Sequence, residues 1–397
     1  MRGSSSRAAA ASLAPGPAPV GAQPSADVID RTGSAAALDA RILAAVADGI
    51  DDAAFDTLAR DIFAHQLREN APYGRWVRSL GWSEERLPGN WREIPAIPAP
   101  AYREAALAAF PHARAALQFE TSGTTSGRPG VHYVERAELY DASLLAGFRR
   151  FMLPDGARLR YLSLVPDPAE SPQSSLGYML RAVAHELGDD GGFFLHGGAL
   201  ELEPFLSAAR RAQAERRAVC IAGTAFAFVH LFDALRSAGI SLRCAPGSRA
   251  LETGGFKGRS REVERGDLYA EFPALLGIPQ ERVVAEYGMT ELLSQHYDVV
   301  LTEPGRALHE GQRVKSSPPW LRVLAIDPVS GREAAPGCAG ALRHVDLANR
   351  SSVVAVQTED LGYALDETHF VLLGRKPGSL PRGCSLDAEA LAVLHAR

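Results

Sequence analysis

Phe119-Glu120-Thr121-Ser122-Gly123-Thr124-Thr125-Ser126-Gly127-Arg128-Pro129-Gly130 is the stretch around which this 397-residue sequence is organised. Its hydroxyl side chains and glycines lie between two apolar runs, which predict one strand over 113–119 and another over 131–134. Glycine allows a bulky anion close to the backbone, and successive N–H groups in such a turn form a concave anion site. A phosphate chain would suit this loop, although the Gly-Lys-Ser/Thr of a Walker A loop is missing. An ordinary polar loop is the alternative.

Strands and helices alternate downstream of this loop. Because such alternation is typical of βαβ units, it predicts an α/β fold with a mainly parallel sheet and helices on both faces. Ligands of such folds bind outside the carboxyl ends of the strands. Polar, glycine-bearing turns fall at those predicted ends: Gly223-Thr224, Thr253-Gly254-Gly255 and Tyr287-Gly288-Met289-Thr290-Glu291.

The sequence divides into three predicted regions. Residues 1–37 are rich in Ala, Pro, Ser and Gly and predict a disordered tail. Residues 38–300 predict the large α/β core, which opens with amphipathic helices up to about residue 82. Residues 301–397 contain short β runs and no long helix, which predicts a small β-rich region that includes the C-terminal segment.

Composition excludes several classes of protein. The chain is 46% hydrophobic and 22% charged, as is ordinary for globular proteins. A net charge of −5 argues against nucleic-acid binding, which usually requires a basic surface. Four cysteines without a C-x-x-C pair favour neither a zinc site nor a disulfide framework, so we expect a cytoplasmic protein. No apolar run approaches the roughly 18 residues of a membrane span.

Four motifs, in order along the chain, resemble those of adenylate-forming enzymes. Residues 121–125 resemble their phosphate loop, and Tyr287-Gly288-Met289-Thr290-Glu291 resembles their Tyr-Gly-x-Thr-Glu motif. Gln357-Thr358-Glu359-Asp360-Leu361-Gly362 resembles their Thr-Gly-Asp-Leu-Gly segment, and Gly374-Arg375 resembles the entry to their hinge. Agreement of four motifs is far more specific than any one of them.

One branch of that superfamily is more similar than the rest. The Ser-Gly-Thr-Thr-Ser-Gly form of the loop, residues 252–259 and the terminal Arg382-Gly383-Cys384-Ser385 resemble the LuxE-type acyl-protein synthetases. The resemblance extends from about residue 38 to the C-terminus. It implies activation of a carboxylic acid, chiefly a fatty acid, as acyl-AMP, with ATP and Mg²⁺ as cofactors.

The resemblance also implies roles for individual residues. It places Glu291 as the ligand of Mg²⁺ and Thr290 at the α-phosphate, and assigns Asp360 to the ribose hydroxyls. The residues that it implies for the remaining phosphate, adenine and hinge contacts are Ser122, Gly123, Thr124, Thr125, Gly254, Gly255, Tyr287 and Arg375. Structural alternatives exist, since Asp360 could cap a turn and Glu291 could be a helix N-terminal acid.

The chain departs from the superfamily pattern in several places. An extra Ser126 follows the hydroxyl run, and Gly130 stands where a lysine is usual, so phosphate charge would come from elsewhere, such as Arg128. Glu359 replaces the glycine that normally precedes Asp360. The sequence ends soon after the hinge, so the mobile C-terminal domain with its lysine is expected to be absent.

Cys384 offers a different acyl acceptor. A thiolate attacks an acyl-adenylate readily, and Arg382 could lower the thiol pKa. The resemblance implies that Cys384 carries the acyl group to an acyl-accepting partner protein, a reductase or a carrier. An inert thiol, a CoA or carrier-protein ligase, and a non-catalytic nucleotide-binding protein are the alternatives. His185, His196 and His230 could flank an acyl pocket, or be ordinary core or surface histidines.

Overall fold

A computed structural model describes residues 26–121, 129–254, 264–335 and 337–375, without the side chains of residues 26–34, 190 and 375. Statements below refer to these residues. The helices begin with α1, which starts at residue 26, so the predicted tail of residues 1–37 overlaps this helix. The α-helices are α1 (Ala26–Asp48), α2 (Asp52–Glu69), α3 (Ala71–Ser79), α4 (Ala101–Glu104), α5 (Ala137–Met152), α6 (Ser175–Leu187), α7 (Leu202–Ala214), α8 (Ala225–Ser237) and α9 (Arg265–Glu271).

The strands continue to the end of the described chain. They are β1 (Ile97–Pro98), β2 (Leu117–Glu120), β3 (Val131–Val134), β4 (Leu159–Pro166), β5 (Gly188–His196), β6 (Ala199–Leu200), β7 (Val219–Thr224), β8 (Arg249–Thr253), β9 (Val283–Tyr287), β10 (His296–Asp298), β11 (Leu308–His309), β12 (Gln312–Ser316), β13 (Leu321–Ile326), β14 (Gly340–Asp346), β15 (Ala355–Ala364) and β16 (His369–Arg375). The segment 357–362, expected at a strand end or turn, lies within β15.

In the described part of the chain, fourteen strands form one sheet. Its main order is β13-β14-β15-β16-β12-β10-β9-β8-β7-β4-β5-β6, with β1 on β15 and β11 on β12. Strands β4, β5, β7, β8 and β9 are parallel, and from β10 onward the pairing of successive neighbours is antiparallel. The sheet is therefore continuous across residue 300, where the sequence predicted a boundary between two regions.

Helices cover both faces of the parallel strands, as predicted. On β7, Cys220 and Ala222 join one apolar cluster, whereas Val219 and Ile221 join the other. This alternation follows from the two-residue period of a strand, and both faces are buried because βαβ crossovers place helices on each. The fold class is thus a mixed α/β fold with a large sheet whose central strands are parallel.

A separate two-stranded sheet carries the opening motif. Strands β2 and β3 are antiparallel, with Glu120 opposite Val131. The backbone N–H of Thr121 donates to the Gly130 carbonyl at 2.9 Å, and the Gly130 N–H donates to Thr121 Oγ1 at 2.9 Å. These two bonds close the neck of the predicted phosphate loop and fix where it starts and ends.

The turn Gly223-Thr224 has a structural explanation. Thr224 ends β7 and caps α8, accepting a hydrogen bond from the Ala227 N–H at 3.1 Å. A Cβ on residue 223 would lie 2.8 Å from Leu164 Cβ, so glycine lets neighbouring strands keep their spacing. Among the described helices, none combines the length and apolar character needed to cross a membrane.

Candidate active site

Strands β8 and β9 bring two of the predicted turns to one edge of the sheet. Thr253, the last residue of β8, is the register partner of Glu286 on β9. Gly254 and Tyr287 therefore leave adjacent parallel strands side by side. Gly254 has φ +72°, a conformation that disfavours side chains, and no atom of the described residues lies within 4 Å of where a Cβ would point. The turn thus presents bare backbone at the edge where ligands of such sheets bind.

Tyr287 links this edge to the antiparallel half of the sheet. Its hydroxyl donates to Asp360 Oδ2 at 2.9 Å, although the two residues come from β9 and β15. Asp360 is also the register partner of Arg375 on β16. Three of the residues predicted to contact nucleotide are therefore brought together by the fold.

Thr290 lies next to the described residues at the start of the predicted phosphate loop. Its hydroxyl donates to the Glu120 carbonyl at 3.4 Å, next to the neck formed by Thr121 and Gly130. The motif at residues 287–291 and the loop at 121–130 are far apart in sequence but adjacent in the fold. This contact joins the two motifs that were predicted to bind the same phosphate chain.

Two residues that the sequence did not single out hold the Thr290–Glu291 backbone. The His132 ring is buried, and burial lowers its pKa to about 4. Its Nδ1 donates to the Thr290 carbonyl at 2.6 Å, and its Nε2 lies 3.0 Å from Asn349 Oδ1. Asn349 in turn donates from Nδ2 to the Glu291 carbonyl at 2.9 Å. Neither residue belongs to a recognisable motif, so only the tertiary contacts identify them.

Glu291 is buried, with 8% of its surface exposed. In the described residues, no group of three or more His, Cys, Asp or Glu side chains gathers to hold a metal. A single carboxylate of this kind does fit Mg²⁺ of the type that binds one or two carboxylates and completes its shell with phosphates and water. The donor set is thus compatible with a metal that arrives with a nucleotide.

Gly130 explains one departure from the superfamily pattern. A Cβ at this position would lie 3.0 Å from the carbonyl carbon of Tyr102 and 3.1 Å from its Cβ. A lysine at residue 130 would need the backbone at Tyr102 to move. The usual lysine is therefore sterically disfavoured here.

A family model described as "Acyl-protein synthetase, LuxE" matches residues 35–386. The chain belongs to the LuxE acyl-protein synthetase family. Acyl-protein synthetases are ligases, as the motifs had indicated. No curated protein sequence matches this LuxE-family chain to a significant degree.

Solved structures are similar to the LuxE-family chain in fold. An open conformation of 2-hydroxyisobutyryl-CoA ligase in complex with 2-HIB-AMP and CoA has 14% identity and a TM-score of 0.58, over 83% of this chain and 71% of that chain. The same ligase in the postadenylation state has 15% identity and a TM-score of 0.58, over 82% and 67%. ATP-bound MatB from Rhodopseudomonas palustris has 17% identity and a TM-score of 0.47, over 66% of this chain. This chain spans about half of the MatB length, 48%.

Buried carboxyls lie directly beneath the site of this LuxE-family protein. Thr253 donates its hydroxyl to Glu286, and burial raises the Glu286 pKa to about 7. Next to it, the Tyr269 hydroxyl donates to Glu252 at 3.1 Å, and burial raises the Glu252 pKa. A protonated Glu286 would place a neutral hydrogen-bonding group, rather than a charge, under the Gly254 turn.

Several predicted residues lie outside the described part of the chain. They are Ser122, Gly123, Thr124, Thr125, Gly255, the side chain of Arg375, and Cys384 with its neighbour Arg382. Their roles stay predictions.

The three histidines proposed to flank an acyl pocket lie at the surface. His185 contacts Glu186 at 2.7 Å with most of its side chain exposed. His196 contacts Glu170 at 2.5 Å, and His230 is exposed against the ring of Phe226. Nothing in these contacts points to a pocket, so the ordinary surface interpretation holds for all three.

The three cysteines in the described part of the chain differ in exposure. Cys220 is fully buried, and burial raises its pKa to about 12. Burial also raises the Cys244 pKa to about 11, whereas Cys338 is exposed. Thiolates are the reactive form, so Cys220 and Cys244 are poor nucleophiles.

Proposed function

We propose that this protein uses ATP to convert a carboxylic acid, chiefly a fatty acid, into an acyl-adenylate, and then transfers the acyl group to Cys384. From Cys384 the acyl group passes to a partner protein in the cytoplasm, a reductase or a carrier. Membership of the LuxE acyl-protein synthetase family supports this proposal.

The observation that carries the proposal is the convergence of separate motifs on one sheet edge. The Tyr287–Asp360 hydrogen bond at 2.9 Å and the Thr290–Glu120 contact at 3.4 Å join segments from three parts of the chain. Polar groups converging at the carboxyl ends of parallel strands are typical of a ligand site in such folds. A nucleotide whose ribose reached Asp360 and whose phosphates reached Thr290 would fit this arrangement.

The chemistry needs an activated acid because a carboxylate has no good leaving group. ATP would supply that leaving group: a carboxylate oxygen bonds to the α-phosphorus, the bond from that phosphorus to pyrophosphate breaks, and pyrophosphate leaves. Bound Mg²⁺ would neutralise phosphate charge. The chain's own groups hold and orient the reactants: Asp360 accepts hydrogen bonds from the ribose hydroxyls, and Thr290 donates to the α-phosphate. Glu291, fixed through its backbone by Asn349, supplies the carboxylate for the metal.

Transfer to Cys384 is a substitution at the acyl carbon. The thiolate sulfur forms a bond to the carbonyl carbon, the bond from that carbon to the AMP oxygen breaks, and AMP leaves. The thiol proton goes to solvent when the thiolate forms. A thioester results, and it keeps the acyl group reactive for the partner.

Pyrophosphate exchange tests the adenylation half. Labelled pyrophosphate should enter ATP only when a suitable carboxylic acid is present, and a panel of acids of increasing chain length would define the substrate. An Asp360→Asn variant should exchange at least tenfold more slowly, because an amide accepts hydrogen bonds less strongly than a carboxylate. Binding of ATP without exchange for any acid would reject catalysis and favour a nucleotide-binding protein.

Mass spectrometry of the intact protein tests the transfer half. After incubation with ATP, Mg²⁺ and acid, peptide mapping should place the acyl mass on Cys384. Cys338→Ala is the matched control, because Cys338 is also an exposed cysteine, and this variant should still be acylated. Rapid formation of acyl-CoA by a Cys384→Ala variant would show that the protein is a CoA ligase instead.

A further inference from the structure

A line of buried hydrogen bonds runs behind Asp360. Tyr287 Oη, which donates to Asp360, lies 3.5 Å from His344 Nε2. His344 Nδ1 lies 3.1 Å from His296 Nε2, and His296 Nδ1 lies 2.9 Å from Ser317 Oγ. We call Tyr287, His344, His296 and Ser317 the relay. Its residues come from β9, β14, β10 and the segment after β12, so no sequence motif contains it.

The relay is enclosed. His296 and His344 have no exposed surface, Ser317 is 3% exposed, and the ring of Phe370 packs edge-on against the His296 ring at 5.0 Å. Burial lowers the pKa of His344 to about 4 and lowers that of His296 well below its usual range, the latter with help from Lys315. Both rings are therefore neutral near pH 7, and each carries a single ring proton.

When Tyr287 donates to Asp360, the single proton on each ring fixes the direction of the other bonds in the relay. The Asp360 carboxylate can only accept hydrogen bonds, so Tyr287 donates its one hydroxyl proton to Asp360. Tyr287 Oη can then only accept from His344, which requires the His344 proton on Nε2. His344 Nδ1 is left as an acceptor.

The same requirement passes to the next two residues. His344 Nδ1 must accept from His296 Nε2–H, and His296 Nδ1 is then left as an acceptor for the Ser317 hydroxyl. The Thr368 carbonyl oxygen lies 3.1 Å from Ser317 Oγ and is a second acceptor for the same hydroxyl proton. If the Ser317 hydroxyl donated to Thr368 instead, both histidine protons would have to move to Nδ1. The Tyr287 hydroxyl would then donate to His344 and not to Asp360. The hydrogen bonds of the relay can therefore run in two directions, and only one of them has the Tyr287 hydroxyl donating to Asp360.

We propose that the relay is a positioning device for ribose recognition, in which Ser317, His296 and His344 hold the Tyr287 hydroxyl so that it donates to Asp360 and orients that carboxylate. The three are positioning residues, because they would act on Asp360 through the Tyr287 hydroxyl. This inference rests on the proposed function, since it assumes that Asp360 receives the ribose hydroxyls. It adds to that function a layer of buried polar side chains from three strands and the segment after β12.

The direction of the hydrogen bonds in the relay can be measured without an activity assay, from the positions of the histidine ring protons. Full-length protein selectively labelled with ¹⁵N-histidine reports by NMR which ring nitrogen carries the proton, and His296→Asn and His344→Gln spectra assign the two rings. The inference expects the proton on Nε2 of both. A proton on Nδ1 of either ring would overturn it, and this measurement decides even if other variants fail to fold.

Nucleotide binding separates this inference from the proposed function. The probes are ATP and 2′,3′-dideoxy-ATP, which lacks the ribose hydroxyls. Wild-type protein should prefer ATP roughly tenfold, the effect of a good charge-assisted hydrogen bond. His344→Phe should bind ATP roughly tenfold more weakly and dideoxy-ATP unchanged. His344→Gln, whose amide can donate toward Tyr287, should recover part of the loss.

His65→Phe is the matched control, because His65 is also buried, with a pKa that burial lowers to about 4, but lies on α2. It should not alter either affinity. If His344→Phe prefers ATP as strongly as wild type does, the relay has no part in ribose recognition and only this inference fails. If wild-type protein binds neither nucleotide, the proposed function fails and the inference fails with it.

Discussion

The parallel and antiparallel halves of the sheet are buried to a similar degree but are held together differently. In the parallel half, residues 219–222 of β7 and residues 250–251 of β8 are apolar and fully buried. In the antiparallel half, the buried positions are often polar or charged: His296, Asp298, Lys315, Ser317, Arg322, His344 and Asp346. The interior of the parallel half is therefore mainly apolar, with buried charged residues such as Arg249, Glu252 and Glu286 near strand ends. The antiparallel half has more buried polar groups, which are held by specific hydrogen bonds and ion pairs.

This difference has a physical consequence. Apolar packing is non-directional and tolerates swaps of similar volume, but a buried charge that loses its partner is strongly unfavourable. The antiparallel half also holds Asp360, which needs a defined orientation. We infer that its polar interior specifies geometry and makes it the more sensitive half to single substitutions.

The largest effect is expected where a buried charge loses its partner. Asp298 is fully buried and accepts from Lys315 Nζ at 3.0 Å and from Arg313 at 3.0 Å. A Lys315→Met variant should lose about 3–5 kcal/mol of unfolding free energy, because removing one partner leaves a poorly compensated buried carboxylate. Urea denaturation followed by circular dichroism measures the loss.

A double variant sharpens that test. Lys315→Met combined with Asp298→Asn removes the charge as well as its partner, and should recover part of the lost stability. No recovery would mean that the lysine contributes through packing rather than charge, and the contrast between the halves would weaken.

A pH effect of roughly 3 kcal/mol is expected from Glu286 at the boundary of the two halves. Burial raises its pKa from 4.5 to about 7 in the folded protein, so folding favours the protonated carboxyl. This contribution is fully present below pH 4.5 and is lost as pH rises through about 7. A Glu286→Gln variant should lose this pH dependence, and its stability relative to wild type should rise between pH 5 and pH 8.

Thermal unfolding across that pH range measures the effect. Glu281→Gln is the control, since Glu281 is exposed just before β9 and should leave the pH profile unchanged. If the stability of the Glu286→Gln variant changes with pH as that of the wild type does, Glu286 is not protonated in the folded protein.

A smaller effect, about 2 kcal/mol, is expected for Asn349→Ala. Asn349 donates to the carbonyls of Glu291 at 2.9 Å and Val353 at 2.8 Å, so the variant removes a buried hydrogen bond from each carbonyl. Pyrophosphate exchange should slow as well, because the Thr290–Glu291 segment loses its support. Asn90→Ala, where the amide bonds to Glu93 near the surface, is the control and should change exchange little. If the variant loses stability but the rate of pyrophosphate exchange does not change, Asn349 does not support the candidate site.

The smallest effect tests the parallel half. Ile221 is fully buried in β7, and Ile221→Val should cost only about 1 kcal/mol, since it removes a single methylene. Differential scanning calorimetry would show a small fall in Tm. A cost as large as that of Lys315→Met would show that the two halves do not differ as we infer.

Much of the fold could be predicted from local pattern. Strand β3 over residues 131–134 has the bounds that the sequence predicted, and helices α1 to α3 end at residue 79, close to the expected 82. Both are short-range features, set by apolar periodicity and by flanking turns. Prediction was weakest where pairing joins distant segments: the sheet does not divide at residue 300, and the Asp360 segment lies within a strand rather than at its end.

The site divides in the same way. The sequence singled out Gly254, Tyr287, Thr290, Glu291 and Asp360 as candidates, because backbone conformation and motif chemistry leave a local signature. His132, Asn349, His296 and His344 were not found, since a histidine or asparagine within a strand looks like any other. The bond from His132 to Thr290 spans 158 residues and the contact from His132 to Asn349 spans 217.

The sequence by itself determined the family, the alternation of strands and helices, and the residues whose chemistry suits a nucleotide. Those properties depend on residue type and on neighbours a few positions away. Only the tertiary structure decided which buried polar groups face one another, and therefore how Asp360 and the Thr290–Glu291 segment are held. Hydrogen bonds need partners within about 3.5 Å, and that proximity is created when distant strands pair in one sheet.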